Sequence, residues 1–86
     1  MPDYQITLAT SAEHEYRKLP PTVKVRVTQA IDNLQSNPGG RGAIKLQTSK
    51  DLYRIRVGDY RVVFHIYDAK KVVDIVHIRH RRDIYK

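Results

Sequence analysis

Arg54, Arg56 and Arg61 carry the first chemical signal. They lie in two alternating runs, Leu52-Tyr53-Arg54-Ile55-Arg56-Val57 and Tyr60-Arg61-Val62-Val63-Phe64, joined by Gly58-Asp59. Gly-Asp between such runs predicts a two-residue hairpin turn of a primed type. That turn sets Val57 opposite Tyr60, Arg56 opposite Arg61 and Arg54 opposite Val63. Three guanidinium groups then gather on one sheet face, away from the apolar residues. Like charges directly opposite on a sheet cost from a few tenths to ~1 kcal/mol. Such a concentration points to an anion site, and arginine suits phosphate because its fork holds two oxygens at once. The bland alternative is a set of splayed, solvated arginines.

The C-terminus extends the pattern. Arg79-His80-Arg81-Arg82-Asp83-Ile84-Tyr85-Lys86 places four cations, one histidine and one tyrosine in eight residues. A frayed basic tail is the ordinary reading of such a stretch. Ile84 and Tyr85 give this one a reason to dock, which would bring Tyr85 beside the arginine face. Basic groups interleaved with aromatic ones suit single-stranded RNA, with charge for the backbone and stacking for an unstacked base. Other candidates are weaker. His14 reads as a surface residue of the first helix. His65 shares a strand face with Arg61, and His77 reads as a half-buried strand residue. No two histidines have metal-ligand spacing beside a carboxylate set, so no metal site is expected. Pro38-Gly39-Gly40 follows a helix rather than a strand, which is weak as a phosphate loop.

The elements that must position these residues follow from periodicity. Tyr4–Leu8 reads as a strand. Thr10 to about Leu19 reads as a helix, with Thr10 as cap and Glu13 closing a capping box. Pro20-Pro21 stops it. A second helix spans about Thr22 to Gln35, with Val23, Val27, Ala30, Ile31 and Leu34 on one stripe. Asn37–Gly42 is a loop, and Ala43–Leu46 is a short extended piece. Leu52–Val57, Tyr60–Tyr67 and Val72–Ile78 are strands, the last two joined near Ala69-Lys70. The expected fold is α+β, β-α-α-β-β-β, with two N-terminal helices on one face of a small, mainly antiparallel sheet. Tyr53, Ile55, Val57, Tyr60, Val62, Phe64 and Ile66 form the face that meets the helices. Which face Asp74 takes depends on the length of the second turn.

Size and composition bound the possibilities. A chain of 86 residues makes one small domain, residues 1–86, without room for a second lobe. Zero cysteines exclude a disulfide scaffold and thiol catalysis. Apolar runs of two or three residues exclude a membrane span of about 20. Met1–Gln5 has no signal-peptide character, so the cytoplasm is the expected compartment. The net charge is +7, with seven basic and four acidic residues in 1–50 and nine and five in 51–86. That excess suits an anionic partner without choosing among nucleic acid, an acidic protein and a membrane surface.

Taken together, Glu15-Tyr16-Arg17-Lys18-Leu19-Pro20, Lys45-Leu46, the run from Leu52 to Phe64, and His80-Arg81-Arg82-Asp83-Ile84-Tyr85 resemble the RelE-type toxins of bacterial and archaeal toxin–antitoxin modules, in the RelE/ParE superfamily. The likeness covers nearly the whole chain. It implies a microbial RNase-like fold and cleavage of mRNA in the ribosomal A site, with no metal and no cofactor. In that reaction the 2′-hydroxyl attacks its own phosphate and leaves a cyclic phosphate and a 5′-hydroxyl. Arg61 matches the arginine that stabilises the transition state, and Tyr85 the tyrosine that stacks on or orients the substrate. Arg81 matches the C-terminal arginine at the leaving group; the spacing to the tyrosine varies, which keeps Arg79 as its rival. Arg54, Arg56, Lys45, Arg79 and Arg82 are the expected RNA-binding residues.

One departure matters. Arg54 and Arg56 stand where well-known members carry lysines, and an arginine hardly takes a proton. The base falls to His80, Tyr85 or a water, or catalysis rests on electrostatics and positioning. The resemblance also implies a protein antitoxin with an acidic C-terminal region, and operator DNA bound only through it. The partners on this reading are the ribosome and its A-site mRNA, with no membrane, and the free toxin is monomeric. Two alternatives stay open: a gyrase-directed toxin of the ParE branch, whose members generally lack the arginine and tyrosine set, and a relative that binds RNA or antitoxin without cutting.

Overall fold

A computed structural model describes residues 4–38, 43–45 and 52–84. Strand β1 (Gln5–Leu8) leads into helices α1 (Thr10–Arg17) and α2 (Pro21–Ser36). Strands β2 (Ile44–Lys45), β3 (Leu52–Val57), β4 (Tyr60–Tyr67) and β5 (Val72–His80) follow, and a helical turn, α3 (Arg81–Ile84), closes the order. The strands form a five-stranded sheet in the order β1-β5-β4-β3-β2, with β1 parallel to β5 and the other pairs antiparallel. The expected α+β architecture is therefore present. The short piece at Ala43–Leu46 supplies a fifth strand at Ile44–Lys45, and α3 is an addition. Leu46 and Gly39–Gly42 lie outside the described residues.

The stripe on α2 is the reason the helix holds. Val27, Ile31 and Leu34 are buried and Val23 and Ala30 are partly buried, while Val25 on the far side is 58% exposed. They pack on Ile55, Val62, Phe64, Ile66, Val73, Ile75 and Ile78 from the sheet, with Phe64 and Val62 fully enclosed. Pro21 takes the first position of α2, where its missing N–H costs nothing. The start of α1 differs from the expected capping box. Ala9 is the N-cap, without a side-chain hydrogen bond, and Thr10 is already helical. Ser11 spends its hydroxyl elsewhere, on the Val76 carbonyl of β5. The helix also ends two residues early, at Arg17. Lys18 and Leu19 turn back onto the carbonyls of Glu15 and Tyr16, which drops Leu19 into the core.

Both hairpins bear on the site. Gly58 has φ +60° and Asp59 does not, the pattern of a type II′ turn. Val57 pairs with Tyr60 across it, as the sequence predicts. The second loop spans Asp68 to Lys71, with Lys71 at φ 56°. Beside it the Tyr4 hydroxyl donates to Asp68 at 2.6 Å, and that bond raises the phenol's pKa above its ordinary value. Replacing Gly58 forces a side chain into left-handed backbone, so Gly58→Ala is expected to lower stability by about 1–2 kcal/mol. Urea unfolding reads this, and an unchanged midpoint would show that the turn carries no strain.

Candidate nucleic-acid interface

Register decides which side chains meet. Across β3 and β4, Arg56 faces Arg61 and Arg54 faces Val63; across β4 and β5, Arg61 faces Arg79. Directly paired residues share a sheet face. Arg56, Arg61 and Arg79 therefore form a row over three strands, with Arg54 one step along β3. The row exists because of a bulge. Phe64 pairs with Ile75 but Val63 pairs with His77, so Val76 is an extra residue in β5. Strict alternation from the buried Val73 and Ile75 would turn residues 77 and 79 toward the helices. The bulge reverses that phase, buries Ile78 instead, and delivers Arg79 to the arginine face.

Arg81 joins from the chain end. Its N–H donates to the Asp59 carbonyl at 2.8 Å, which fastens the start of α3 to the β3–β4 turn. Arg56, Arg61 and Arg81 then line one hollow of about 80 Å³, together with Gly58, Asp59 and Tyr60. Three cations against the Asp59 carboxylate leave it positive. A phosphate there can be held by converging charged donors, each stronger than a neutral hydrogen bond.

The other sequence-predicted residues fall as follows. Arg54 shares the face but does not line the hollow. Lys45 pairs with Tyr53, whose side chain packs on the core, so Lys45 lies toward the helix side of the sheet. Arg82 is exposed on α3. His80 pairs with Tyr60, and their rings meet edge to face at 5.1 Å, on the helix side rather than beside Arg61. Its Nδ1 accepts the Arg82 N–H at 3.2 Å, so a neutral His80 carries its proton on Nε2. Tyr85 lies outside the described residues. His65 shares the arginine face but is paired with Leu52 and stacked on Tyr67, at the far end of β4. Asp74 accepts the Thr7 hydroxyl at 2.7 Å rather than an arginine. Among the described residues no three His, Asp or Glu gather as a metal ion would need.

A basic hollow at one end of a helix-covered sheet marks a small α+β protein with a candidate anion site, and comparison with known proteins makes the class specific. The family described as ParE toxin of type II toxin–antitoxin system, parDE, matches residues 6–85. Toxin RelG of Mycobacterium tuberculosis is 30% identical over 84 residues, covering 96% of this chain and 97% of RelG. Toxin RelE of the same organism is 29% identical, over 96% of this chain and 87% of its own length. Among solved structures, the archaeal RelE–RelB complex from Pyrococcus horikoshii superposes with TM-score 0.81 at 30% identity, covering 92% of this chain and 96% of that one. The isolated E. coli RelE toxin gives TM-score 0.81 at 26% identity, over 90% and 83%. The chain belongs to the RelE/ParE superfamily of type II toxin–antitoxin toxins.

Sequence reasoning missed one residue that organises the site. β1 leaves β5 after Leu8, and α1 takes its place along the exposed edge. There Glu15 accepts the Ile78 N–H at 2.8 Å and Arg79 Nε at 3.0 Å, and lies 3.5 Å from His77 Nδ1. One carboxylate thus satisfies an edge amide and ties down Arg79. The available signal was that Glu15 is the last glutamate in a chain with sixteen Lys and Arg. Glu15→Ala leaves the edge amide without its acceptor and is expected to cost about 1–2 kcal/mol, with Glu15→Gln costing less. Denaturant melts of both variants check this; equal stability of Glu15→Ala and the parent would refute the clamp.

Proposed function

We propose that this toxin cuts mRNA in the ribosomal A site. The observation that carries the reading is the convergence of Arg56, Arg61 and Arg81 on one phosphate-sized hollow. The 2′-oxygen of the substrate bonds to phosphorus, the bond from phosphorus to the 5′-oxygen breaks, and that oxygen takes up a proton. Arg61, flanked by Arg56, stabilises the dianionic phosphorane, where charge develops and fixed cations count most. Arg81 faces the leaving oxygen, Arg54 and Arg56 hold the backbone, and Tyr85 orients the base. His80 stands on the helix side of the sheet, so the proton from the 2′-hydroxyl passes to water or Tyr85.

A protein antitoxin holds the toxin in check on this reading. The solved complexes of related toxins, from P. horikoshii and as RelBE2 from M. tuberculosis, pair toxin with antitoxin. An acidic antitoxin segment would cover the arginine hollow, operator DNA would be reached through the antitoxin, and the free toxin would be a monomer in the cytoplasm. No helix among the described residues is long and apolar enough to cross a membrane. A second reading, a gyrase-directed toxin, draws on the family description, which names parDE.

Induced expression separates the two. Arrest with mRNA cuts inside translated codons is expected, and Arg61→Ala should lower cutting by about 100-fold or more. Arg81→Ala should relieve arrest as well. DNA-damage signalling without mRNA cuts would establish the gyrase reading instead.

A further inference from the structure

A second hollow lies across the β3–β4 turn from the arginine row, on the helix side. Val23 and Arg26 of α2, Val57 and Tyr60 of the hairpin, and His80 at the end of β5 line an open hollow of about 260 Å³ around the Gly58-Asp59 turn. Gly58, Asp59 and Tyr60 border both hollows. Whatever phosphate sits at Arg56, Arg61 and Arg81 is therefore one hairpin turn away from this second space.

We propose that the second hollow is a purine-binding subsite, which takes the base adjoining the phosphate held by the arginine row. The proposal rests on the nuclease reading and adds the part of the substrate that the phosphate hollow cannot read. Its walls suit a flat heteroaromatic ring. Val23 and Val57 are apolar, and Tyr60 and His80 present rings fixed edge to face. Arg26 supplies the polar selection. Its guanidinium lies against the turn, with Nη1 3.2 Å from where a Cβ on Gly58 would stand. Among the described residues Arg26 makes no ion pair, so its donors are open to a ligand. A guanidinium N–H can donate to N7, the acceptor that both purines carry and a pyrimidine lacks, and on guanine the second arm of the fork also reaches O6. His80 uses Nδ1 to accept from Arg82, which leaves Nε2–H as its ring donor. An unstacked base between aromatic and guanidinium groups is the usual way single-stranded RNA is read.

The test uses reporter mRNAs that differ only in the bases flanking the cut, in a purified translation system. The unaltered toxin is expected to cut about tenfold faster with a purine at one flanking position, and Arg26→Ala to abolish that difference. A profile that Arg26→Ala leaves unchanged, or an equal loss at all four bases, overturns the subsite while the nuclease reading stands. A toxin that cuts none of the reporters overturns the nuclease reading. Titration of the folded protein with guanosine and uridine 3′-monophosphates, followed by the Tyr60 and His80 resonances, then judges the hollow by itself. Shifts with the guanosine nucleotide that Arg26→Ala removes support a purine site. Equal shifts with both nucleotides, or none, overturn it. An acidic antitoxin peptide that moves these resonances where neither nucleotide does would assign the hollow to the antitoxin and overturn the proposal likewise.

Discussion

Arg61 has an arginine opposite it on both neighbouring strands, Arg56 on β3 and Arg79 on β5. Each like-charge pair opposes sheet formation by a few tenths to ~1 kcal/mol, and the rest of the molecule is arranged so that the sheet forms anyway. Phe64, Val62 and Ile55 on the opposite face of the same strands are buried under α2. Burial of such side chains contributes roughly 1.5–3 kcal/mol each relative to exposure, which outweighs the repulsion several-fold. Glu15 then holds Arg79, and the other two cations of the row, Arg56 and Arg61, are the ones that share a hollow with Arg81.

Much of this was legible in the sequence because it depends on period and turn chemistry alone. Gly58-Asp59 between two alternating runs specifies the register of β3 and β4, and with it the meeting of Arg56 and Arg61. The apolar stripe of α2 and the stop at Pro20-Pro21 are equally local. What could not be read depended on one residue with no local mark. Val76 is a β-branched residue in a β-rich run, and nothing in its type announces a bulge. Yet that bulge decides that Arg79 lies beside Arg61 and that His80 does not. A period-two signal carries no memory across a one-residue slip, so a histidine expected near the arginines stands on the other face.

Lys45 and Glu15 make the same point from opposite sides. Lys45 is basic and lies in the edge strand β2, but its pairing with Tyr53 sends it to the helix side. Glu15 lies 64 residues from Arg79 along the chain and still accepts its hydrogen bond. Composition ranks Lys45 as an asset and Glu15 as a stray acid. Topology reverses the ranking, because β1 is short and α1 must close the edge that β1 abandons.

A site made of guanidiniums has a chemical consequence. Arginine keeps its charge throughout the physiological range, so the three guanidiniums of the hollow present cationic donors to an anion. They are poorly suited to accept a proton. On the nuclease reading the arginines therefore contribute charge, while the proton from the 2′-hydroxyl goes to water or Tyr85. Positioning alone can remove about 7–11 kcal/mol of a barrier when the reacting atoms are held in line. An mRNA already held in line on the ribosome would bring its phosphate to the hollow with that alignment in place. Dependence on a ribosome would follow from such a division of labour. On the nuclease reading the toxin would supply the electrostatics and the decoding site the geometry.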